Sequence, residues 1–414
     1  MTLEKWLNEK QGRNYRYKME KVRYALDLLG HPEQGLPVVH VAGTNGKGST
    51  IAFLRSLLEG HNLRVGTFVS PHLVTVHDRI CINGQPIAKA DFQKLLERVF
   101  QLEKKVEQVY EPFRYFEVLT LVMLLYFQAQ RLDIALVEVG IGGLLDTTNV
   151  VEPLISIITS IGLDHQDLLG NSLTEIAEQK AGIIKEKAPI ILGPMPDVAL
   201  QICKKTASAH HAPLYYEGRD FVLMNGQFRS DTWQIEGIEL GLIGQHQEEN
   251  AALALQAFYL LMNHQDIHID QEEVLKTLKN TQWAGRLERI GGTNRMYLDG
   301  AHNLPAIERL VDFVQSQQWN RVTILFSALK RKDFREMLDS ICERLPEARL
   351  ILTSFAYDGG IDELDAPKGI PYIADYVQFI QEWERQSLEG ELLFITGSLY
   401  FIAEVRKAIE KNSK

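Results

Sequence analysis

The chain has 414 residues, 45% of them hydrophobic and 24% charged, so we expect a soluble globular protein of two or three domains. The formal net charge of −10 argues against a general nucleic-acid-binding protein. No apolar run predicts a membrane span, the charged amino terminus does not read as a signal peptide, and three widely spaced cysteines suit free thiols, so we expect a cytoplasmic protein without a membrane partner.

Residues 1–30 read as helical, and the sequence LPVVHVAGTNGKGSTIAFLRS then predicts a strand, a glycine-rich loop and a helix that begins near Ser49. Three glycines in six residues allow backbone N–H groups to surround an anion, and the helix points its positive end at the same place. Lys47 adds a charge, and Ser49 or Thr50 a hydroxyl. The pattern predicts a phosphate cradle, although Gly48 separates Lys47 from Ser49, unlike the usual P-loop motif.

Polar residues follow three further apolar strands along the chain. Ser70 ends the strand RVGTFVS, Glu138 lies near the end of IALVEV, and Asp164 and His165 follow LISIITS. Ligands of open α/β sheets bind outside the carboxyl ends of the strands. A hydroxyl, a carboxylate and an imidazole beside a phosphate loop suit Mg²⁺, which prefers oxygen ligands and keeps several waters. Taken alone, His165 is better explained as a hydrogen-bonded structural residue, but its position beside Glu138 and Ser70 favours metal binding.

A buried lysine is predicted on the helix that Ser172 and Glu175 begin as a capping box. Lys180 lies at helical spacing from Ile176 and Ile183, which places it on the apolar face. Burial lowers the pKa of a lysine and can make its amine a neutral nucleophile. The alternative is a lysine that reaches solvent or pairs with an acid, and spacing alone leaves both open.

The fold class is predicted as α/β: a P-loop-type central sheet domain flanked by helices, followed by a smaller Rossmann-like α/β domain. We place the first domain at residues 1–290 and the second at 291–414, joined near the sequence GGTN. A helix with Asn250 near its start precedes this junction. Asp299 and His302 follow the first strand of the second unit, MYLD. Functional residues on both sides of the junction suggest a nucleotide held between two closing domains.

The motif series resembles the Mur ligase superfamily and, within it, the folylpolyglutamate synthase/dihydrofolate synthase family. The motifs, in chain order, are HVAGTNGKGST, SPHL followed by DRI, YFEVLT, EVGIGGLLDTTN, ITSIGLDHQDLLG, IAEQKAGIIK, GQHQEENAALAL, GRLE, LDGAHN and FITGSLYF. They run from residue 40 to 401, so the resemblance covers nearly the whole chain.

The resemblance implies an ATP-dependent ligase that adds L-glutamate to a reduced folate through an acyl phosphate, with conversion of dihydropteroate to dihydrofolate as a second activity. It implies Mg²⁺ as cofactor, small-molecule partners only, and a monomer. Residues matching ATP contacts are Gly43, Thr44, Asn45, Gly46, Lys47, Gly48, Ser49, Thr50, Asn250, Arg286 and Asp299. Residues matching Mg²⁺ ligands are Ser70, Glu138 and His165. Lys180 matches a lysine that the family carbamylates with CO₂, and Lys47, Lys180 and His302 are the implied catalytic residues. Residues matching the pterin–aminobenzoate side are Phe116, Glu117, Thr120, Leu145, Asp146 and Thr147.

Three departures from the family pattern bear on function. Gln179 stands where an acid is usual, Leu304 is inserted before Pro305, and the loop SALKRKDF, which includes Ser327, lacks a common glycine and acid. Two other interpretations stay open. One is a Mur-type ligase for another carboxylate, such as a peptide or peptidoglycan precursor. The other, which the departures around Leu304 and Ser327 motivate, is a nucleotide-gated binding protein without ligase activity.

Overall fold

The structure, a computed structural model, describes residues 2–11, 18–292, 295–330 and 332–412. Parts of three predicted segments lie outside the described residues. These are residues 12–17 of the predicted amino-terminal helical region, residues 293–294 of the predicted GGTN linker, and residue 331 of the loop SALKRKDF.

The chain divides into two compact units, Met1–Gly241 with Glu248–Thr281, and Leu242–Gln247 with Gln282–Lys414. This division lies before the predicted boundary at residue 290. The reason is that Glu288–Ile290 form a strand paired with the sheet of the second unit. The composition of GGTN predicts a linker, but it does not give the position at which the packing changes.

The first unit is built on an eight-stranded sheet. Its strands are β1 (Val38–Ala42), β2 (Val65–Phe68), β3 (Ile80–Ile82), β4 (Gln85–Pro86), β5 (Ile134–Glu138), β6 (Pro153–Ile158), β7 (Ile190–Leu192) and β8 (Leu214–Tyr216). Their order is β4-β3-β2-β5-β1-β6-β7-β8. The six strands β2, β5, β1, β6, β7 and β8 are parallel. At the edge beside β2, the strands β3 and β4 continue the sheet in antiparallel pairing. Every residue of β1 and β5 is buried, as expected for parallel strands covered on both faces.

Helices cover this sheet, and a small second sheet follows it. The helices are α1 (Leu3–Asn8), α2 (Met19–Leu29), α3 (Lys47–Gly60), α4 (Lys89–Val106), α5 (Tyr115–Gln130), α6 (Gln166–Leu169), α7 (Leu173–Ala181), α8 (Asp197–Ala209), α9 (His246–His264) and α10 (Gln271–Asn280). The strands β9 (Phe221–Met224), β10 (Gln227–Ser230) and β11 (Gln234–Glu236) form an antiparallel sheet. Helix α5 is apolar on nearly all sides and sits in one hydrophobic core with α2 and α4.

The second unit contains a six-stranded sheet of order β12-β13-β17-β14-β15-β16. Its strands are β12 (Glu288–Ile290), β13 (Met296–Leu298), β14 (Arg321–Phe326), β15 (Arg349–Thr353), β16 (Tyr372–Ile373) and β17 (Glu391–Thr396), and its helices are α11 (Leu304–Ser316), α12 (Phe334–Arg344), α13 (Tyr376–Gln386) and α14 (Leu399–Asn412). All neighbouring pairs are parallel except β12–β13. The predicted α/β class, with a P-loop-type sheet and a smaller Rossmann-like unit, is confirmed.

Two local features refine the prediction. Helix α3 begins at Lys47 instead of near Ser49, because Gly46 adopts a φ of 87° and ends the loop. The inserted Leu304 is accommodated as the first residue of α11, with Asn303 as the N-cap whose side chain accepts the Ala306 N–H. In the part of the chain that the structure describes, no helix has the length and apolarity needed to cross a membrane.

Candidate active site

The glycine-rich loop after β1 is held in place by the residues that follow β6. The Thr44 N–H donates to the Ser160 carbonyl at 2.9 Å, and the Asn45 N–H donates to the Ser160 hydroxyl at 3.0 Å. An added Cβ on Gly43 would lie 1.9 Å from Thr159 Oγ1, and one on Gly46 would lie 2.3 Å from Asn250 Oδ1. Only glycine fits at these two positions, so the close packing of the loop against Thr159 and Asn250 depends on them.

Lys47 and Glu138 meet at the edge of this loop. The Lys47 Nζ donates to the carbonyls of Gly43 and Thr44 at 2.9 and 3.3 Å and lies 3.9 Å from Glu138 Oε1. The other oxygen of Glu138 accepts the Ser70 N–H at 2.8 Å. The carboxyl ends of β1, β2 and β5 therefore bring a loop lysine, a buried carboxylate and a serine together, as the strand pattern predicts.

Lys180 is buried on α7, so its predicted position on the apolar face is confirmed. Burial, followed by repulsion from Lys47, lowers its pKa to about 7, while Asp164 and Asp146 act in the opposite direction. His165 occupies the N-cap position of α6, where its Nε2 lies 3.8 Å from Asp164 Oδ2. Asp164 also acts electrostatically on Lys180, so His165 lies in the same neighbourhood.

Four residues matching the pterin–aminobenzoate side come together near the end of β5. The Phe116 ring stacks on Phe68 with centroids 5.5 Å apart, and an added Cβ on Gly140 would lie 2.5 Å from Phe116. The same Cβ would lie 3.0 Å from Asp146 Oδ2. Hydroxyls join two other members of the set, since Thr120 Oγ1 lies 2.7 Å from Thr147 Oγ1.

The two remaining residues of that set differ from these four. Leu145 is half exposed, whereas Glu117 is fully buried. The Glu117 carboxylate forms an ion pair with Lys21 at 2.8 Å and accepts the Arg114 N–H at 2.7 Å, which caps α5. Through these two contacts Glu117 fixes the start of the helix that carries Phe116.

The second unit contains the other predicted ATP and catalytic residues. Asp299 follows β13 and accepts the N–H groups of Leu287 and Ala301, both at 2.9 Å. Burial raises the pKa of Asp299, against the opposing effect of the nearby Arg286. The His302 Nδ1 lies 2.8 Å from the Gly300 carbonyl, so this nitrogen carries a proton that it donates to the carbonyl.

Several polar residues near these sites were not predicted from the sequence. His40 and Thr148 form a buried hydrogen bond of 2.9 Å. Arg79 of the DRI motif donates to the His72 ring of SPHL at 2.9 Å. The signal for His40 was available, because a histidine inside the apolar strand VVHVA requires a hydrogen-bond partner. The identity of that partner was not available, because Thr148 is 108 residues away.

The residues present suit a triphosphate and a hard cation. The glycine cradle, the start of α3 and Lys47 offer N–H groups and positive charge to an anion. Among the described residues, no group of three or more His, Cys, Asp or Glu side chains is arranged to hold a metal ion. The predicted set of Ser70, Glu138 and His165 contains only two such residues. Its carboxylate and hydroxyl still suit Mg²⁺, whose shell is completed by water and phosphate oxygens.

Comparison with known proteins defines the class first. Residues 41–258 match the family model of the Mur ligase middle domain, which is more than half of the chain. The matched segment begins in β1 and extends into α9, so it contains the phosphate loop, Glu138 and Lys180.

Individual relatives narrow the class. The chain is 37% identical over 410 residues to the dihydrofolate synthase/folylpolyglutamate synthase of Bacillus subtilis, which covers 94% of both chains. The solved structure of E. coli FolC in complex with DHPP and ADP is 25% identical, with a TM-score of 0.88 over 100% of this chain and 99% of that chain. A folylpolyglutamate synthase complex with AMPPCP and folate is 27% identical, with a TM-score of 0.84 over 98% and 99%. The chain belongs to the folylpolyglutamate synthase/dihydrofolate synthase family of Mur ligases.

Proposed function

We propose that this protein is an ATP-dependent ligase that adds L-glutamate to a reduced folate. The observation that carries the proposal is the arrangement in the first unit, where the phosphate loop, Lys47, Glu138 and Ser70 are in direct contact. A relative of this family has been solved with folate and AMPPCP, and another with DHPP and ADP.

The proposed chemistry proceeds in two steps. The folate carboxylate attacks the γ-phosphorus of ATP, which forms an acyl phosphate and releases ADP. The amine of L-glutamate then attacks the acyl carbon, and inorganic phosphate leaves as the amide forms. Lys47 and the N–H groups of the glycine loop offset the charge of the transferring phosphoryl group, and such positioning and charge stabilisation is most of what a protein contributes to this step.

We propose that Ser70, Glu138 and His165 hold Mg²⁺ at this loop. When bound, the ion would neutralise phosphate charge and orient the transferring group. Glu138 is well suited, since it is buried and one of its oxygens faces Lys47. We also propose that Lys180 is carbamylated by CO₂, because its buried amine has a pKa near 7 and is therefore largely neutral above that pH. Only the neutral amine attacks CO₂.

The nucleotide contacts proposed for Arg286, Asp299 and Asn250, and the catalytic part proposed for His302, follow the family motifs. Asn250 has the strongest geometric support, because its Oδ1 adjoins Gly46 of the phosphate loop. We further propose a cytoplasmic monomer that takes only small-molecule partners. Free Cys81, Cys203 and Cys342 suit a reducing compartment. Light scattering of the purified protein checks the oligomeric state.

The direct test is a ligase assay with ATP, Mg²⁺, L-glutamate and tetrahydrofolate. We expect equimolar ADP and phosphate, together with a folate that is one glutamate longer by mass spectrometry. ATP turnover that is independent of any folate would contradict the proposal. A peptide carboxylate replacing folate as the preferred acceptor would favour the other Mur-type interpretation, and binding of ATP and folate without turnover would favour a binding protein.

We also propose dihydrofolate synthesis from dihydropteroate as a second activity. The B. subtilis relative carries both names, and the E. coli structure contains DHPP. Assays with dihydropteroate and tetrahydrofolate as alternative acceptors measure the ratio of the two activities. Absence of dihydropteroate-dependent phosphate release would remove this second activity and leave the first intact.

A further inference from the structure

A buried histidine connects the strand before the phosphate loop to the segment that contains Asp146. His40 is fully buried in β1, and its Nε2 lies 2.9 Å from Thr148 Oγ1. The Thr148 hydroxyl donates to Asp146 Oδ1 at 2.6 Å, and the Thr148 N–H donates to the same oxygen at 3.0 Å. Three side chains thus form one hydrogen-bonded chain that ends at the Asp146 carboxylate.

The direction of the hydrogen bonds in this chain is determined by its donors. A hydroxyl has one proton, and Thr148 gives it to Asp146, so its oxygen accepts a proton from His40. The Nε2 of His40 therefore carries the ring proton, and Nδ1 is a bare acceptor that has no partner among the described residues. Burial also lowers the pKa of His40 to about 3, which keeps the ring neutral at physiological pH.

The far end of the hydrogen-bonded chain reaches Phe116 and Asp146, two residues of the set matching the pterin–aminobenzoate side, which we call the pteroyl site. The second oxygen of Asp146 accepts the Ile141 N–H at 3.0 Å, directly after Gly140. Both Phe116 and Asp146 pack closely against Gly140, since an added Cβ there would lie 2.5 Å from the Phe116 ring and 3.0 Å from Asp146 Oδ2. A rotation of the Asp146 carboxylate would therefore change the surface beside the Phe116 ring.

We infer that His40 and Thr148 are positioning residues for the pteroyl group, because they fix the orientation of the Asp146 carboxylate beside Phe116. The inference rests on the proposed function and on the family motif that assigns Asp146 to the pterin–aminobenzoate side. A purely structural role would instead make the chain a brace between β1 and the segment after β5. The two roles differ in their effect on KM, since a brace next to the phosphate loop would affect ATP and the pteroyl acceptor alike.

The test uses full-length protein and steady-state kinetics with dihydropteroate or tetrahydrofolate, whichever the parent turns over. Thr148→Val removes the hydroxyl without changing size, and we expect about a tenfold higher KM for the acceptor, the usual effect of losing a hydrogen bond to a charged group. The KM for ATP should stay within about twofold of the parent. Thr148→Ser restores the hydroxyl and should restore the acceptor KM.

A second pair of variants tests the histidine end. His40→Leu removes the donor and should raise the acceptor KM about threefold to tenfold, whereas His40→Gln retains an N–H donor and should recover most of that loss. The double variant His40→Leu/Thr148→Val should show no more than the effect of Thr148→Val, because His40 acts through Thr148. Should Thr148→Val fail to fold, the His40 pair decides the question.

Ser156→Ala is the matched control. Ser156 lies opposite His40 in the β1–β6 pairing, is equally buried, and donates its hydroxyl to the Ile183 carbonyl at 2.9 Å. We expect a lower thermal midpoint with a parental acceptor KM. Equal increases in both KM values, or a lower thermal midpoint with an unchanged acceptor KM in the His40 and Thr148 variants, would overturn the inference while the proposed function stands. A parent without acceptor-dependent turnover would overturn the proposed function, and the inference with it.

Discussion

Two buried lysines in the first unit have opposite surroundings. Lys21 on α2 is fully buried and has a carboxylate oxygen of Glu117 at 2.8 Å and the Pro112 carbonyl at 3.1 Å. Lys180 on α7 is also buried, and burial, followed by the positive charge of Lys47, lowers its pKa to about 7 against the opposing effect of Asp164 and Asp146. Burial alone therefore does not identify a reactive lysine. In the helical layer formed by α2, α4 and α5, Glu117 compensates the charge of Lys21. Near the strand-end cluster of Lys47, Ser70 and Glu138, the surroundings of Lys180 favour the neutral amine.

The largest expected effect comes from removing the charge at the strand-end cluster. Lys47→Ala should lower turnover by about 10³-fold or more, because charge compensation of a transferring phosphoryl group is of that size. The lysine donates to the Gly43 and Thr44 carbonyls and lies next to Glu138, so its charge has a fixed place in the loop. The measurement is ADP release under saturating ATP and folate.

The matched control is Lys205→Ala, which removes an exposed lysine of α8 and should leave turnover unchanged. Near-normal turnover of Lys47→Ala would contradict the proposed role of Lys47 in offsetting phosphoryl charge. It would also weaken the contrast between the surroundings of Lys21 and those of Lys180.

Replacement of Lys180 should have the next largest effect. Lys180→Ala is expected to lower turnover by about 10²- to 10³-fold, the cost typical of losing one oriented electrostatic contact at a transition state. If the parent lysine works as a carbamate, small carboxylates such as formate or acetate should restore part of the activity of the variant but not that of Lys47→Ala. Mass spectrometry of the parent in bicarbonate should detect the added CO₂ on the α7 peptide. An active parent with an unmodified Lys180 would contradict the carbamate.

The sequence identifies Lys180 more readily than Lys21 for a physical reason. The environment of Lys180 follows from its own helix, where neighbouring positions are apolar at a spacing of three and four residues. The partner of Lys21 is Glu117, which lies on another helix, and no local period links the two. The same limit applies to His40 and Thr148, and to the capping role of Glu117. Strand ends, in contrast, gather at one edge by topology, so the meeting of Lys47, Ser70 and Glu138 could be predicted from sequence.

Breaking the compensated pair should affect stability instead of chemistry. Lys21→Met leaves the Glu117 carboxylate buried without its partner, which typically costs about 3–5 kcal/mol in the free energy of unfolding. The double variant Lys21→Met/Glu117→Leu removes both charges and should recover most of that loss, because a well-packed apolar pair often replaces a buried ion pair at little cost. Urea titration gives the stability. Both variants should keep kcat within about threefold of the parent wherever they are folded, because the Glu117 carboxylate is paired with Lys21 and caps the start of α5. A large fall in kcat without a change in stability would show that the helical layer also takes part in the chemistry.

The smallest expected effect is the pH dependence of CO₂ uptake by Lys180. Its pKa is lowered to about 7, so the protonated amine predominates below that pH and the reactive neutral amine above it. The initial rate of ¹³CO₂ incorporation, at constant dissolved CO₂, should rise about tenfold from pH 6 to pH 8 and then level off, as a group with a pKa near 7 titrates. For a lysine with the ordinary pKa of about 10.4, the rate would instead keep rising about tenfold with each pH unit over this range. If the rate at Lys180 kept rising in this way up to pH 8 and beyond, the positive charge of Lys180 would be compensated, as the charge of Lys21 is. The two regions would then not differ in how they treat a buried lysine.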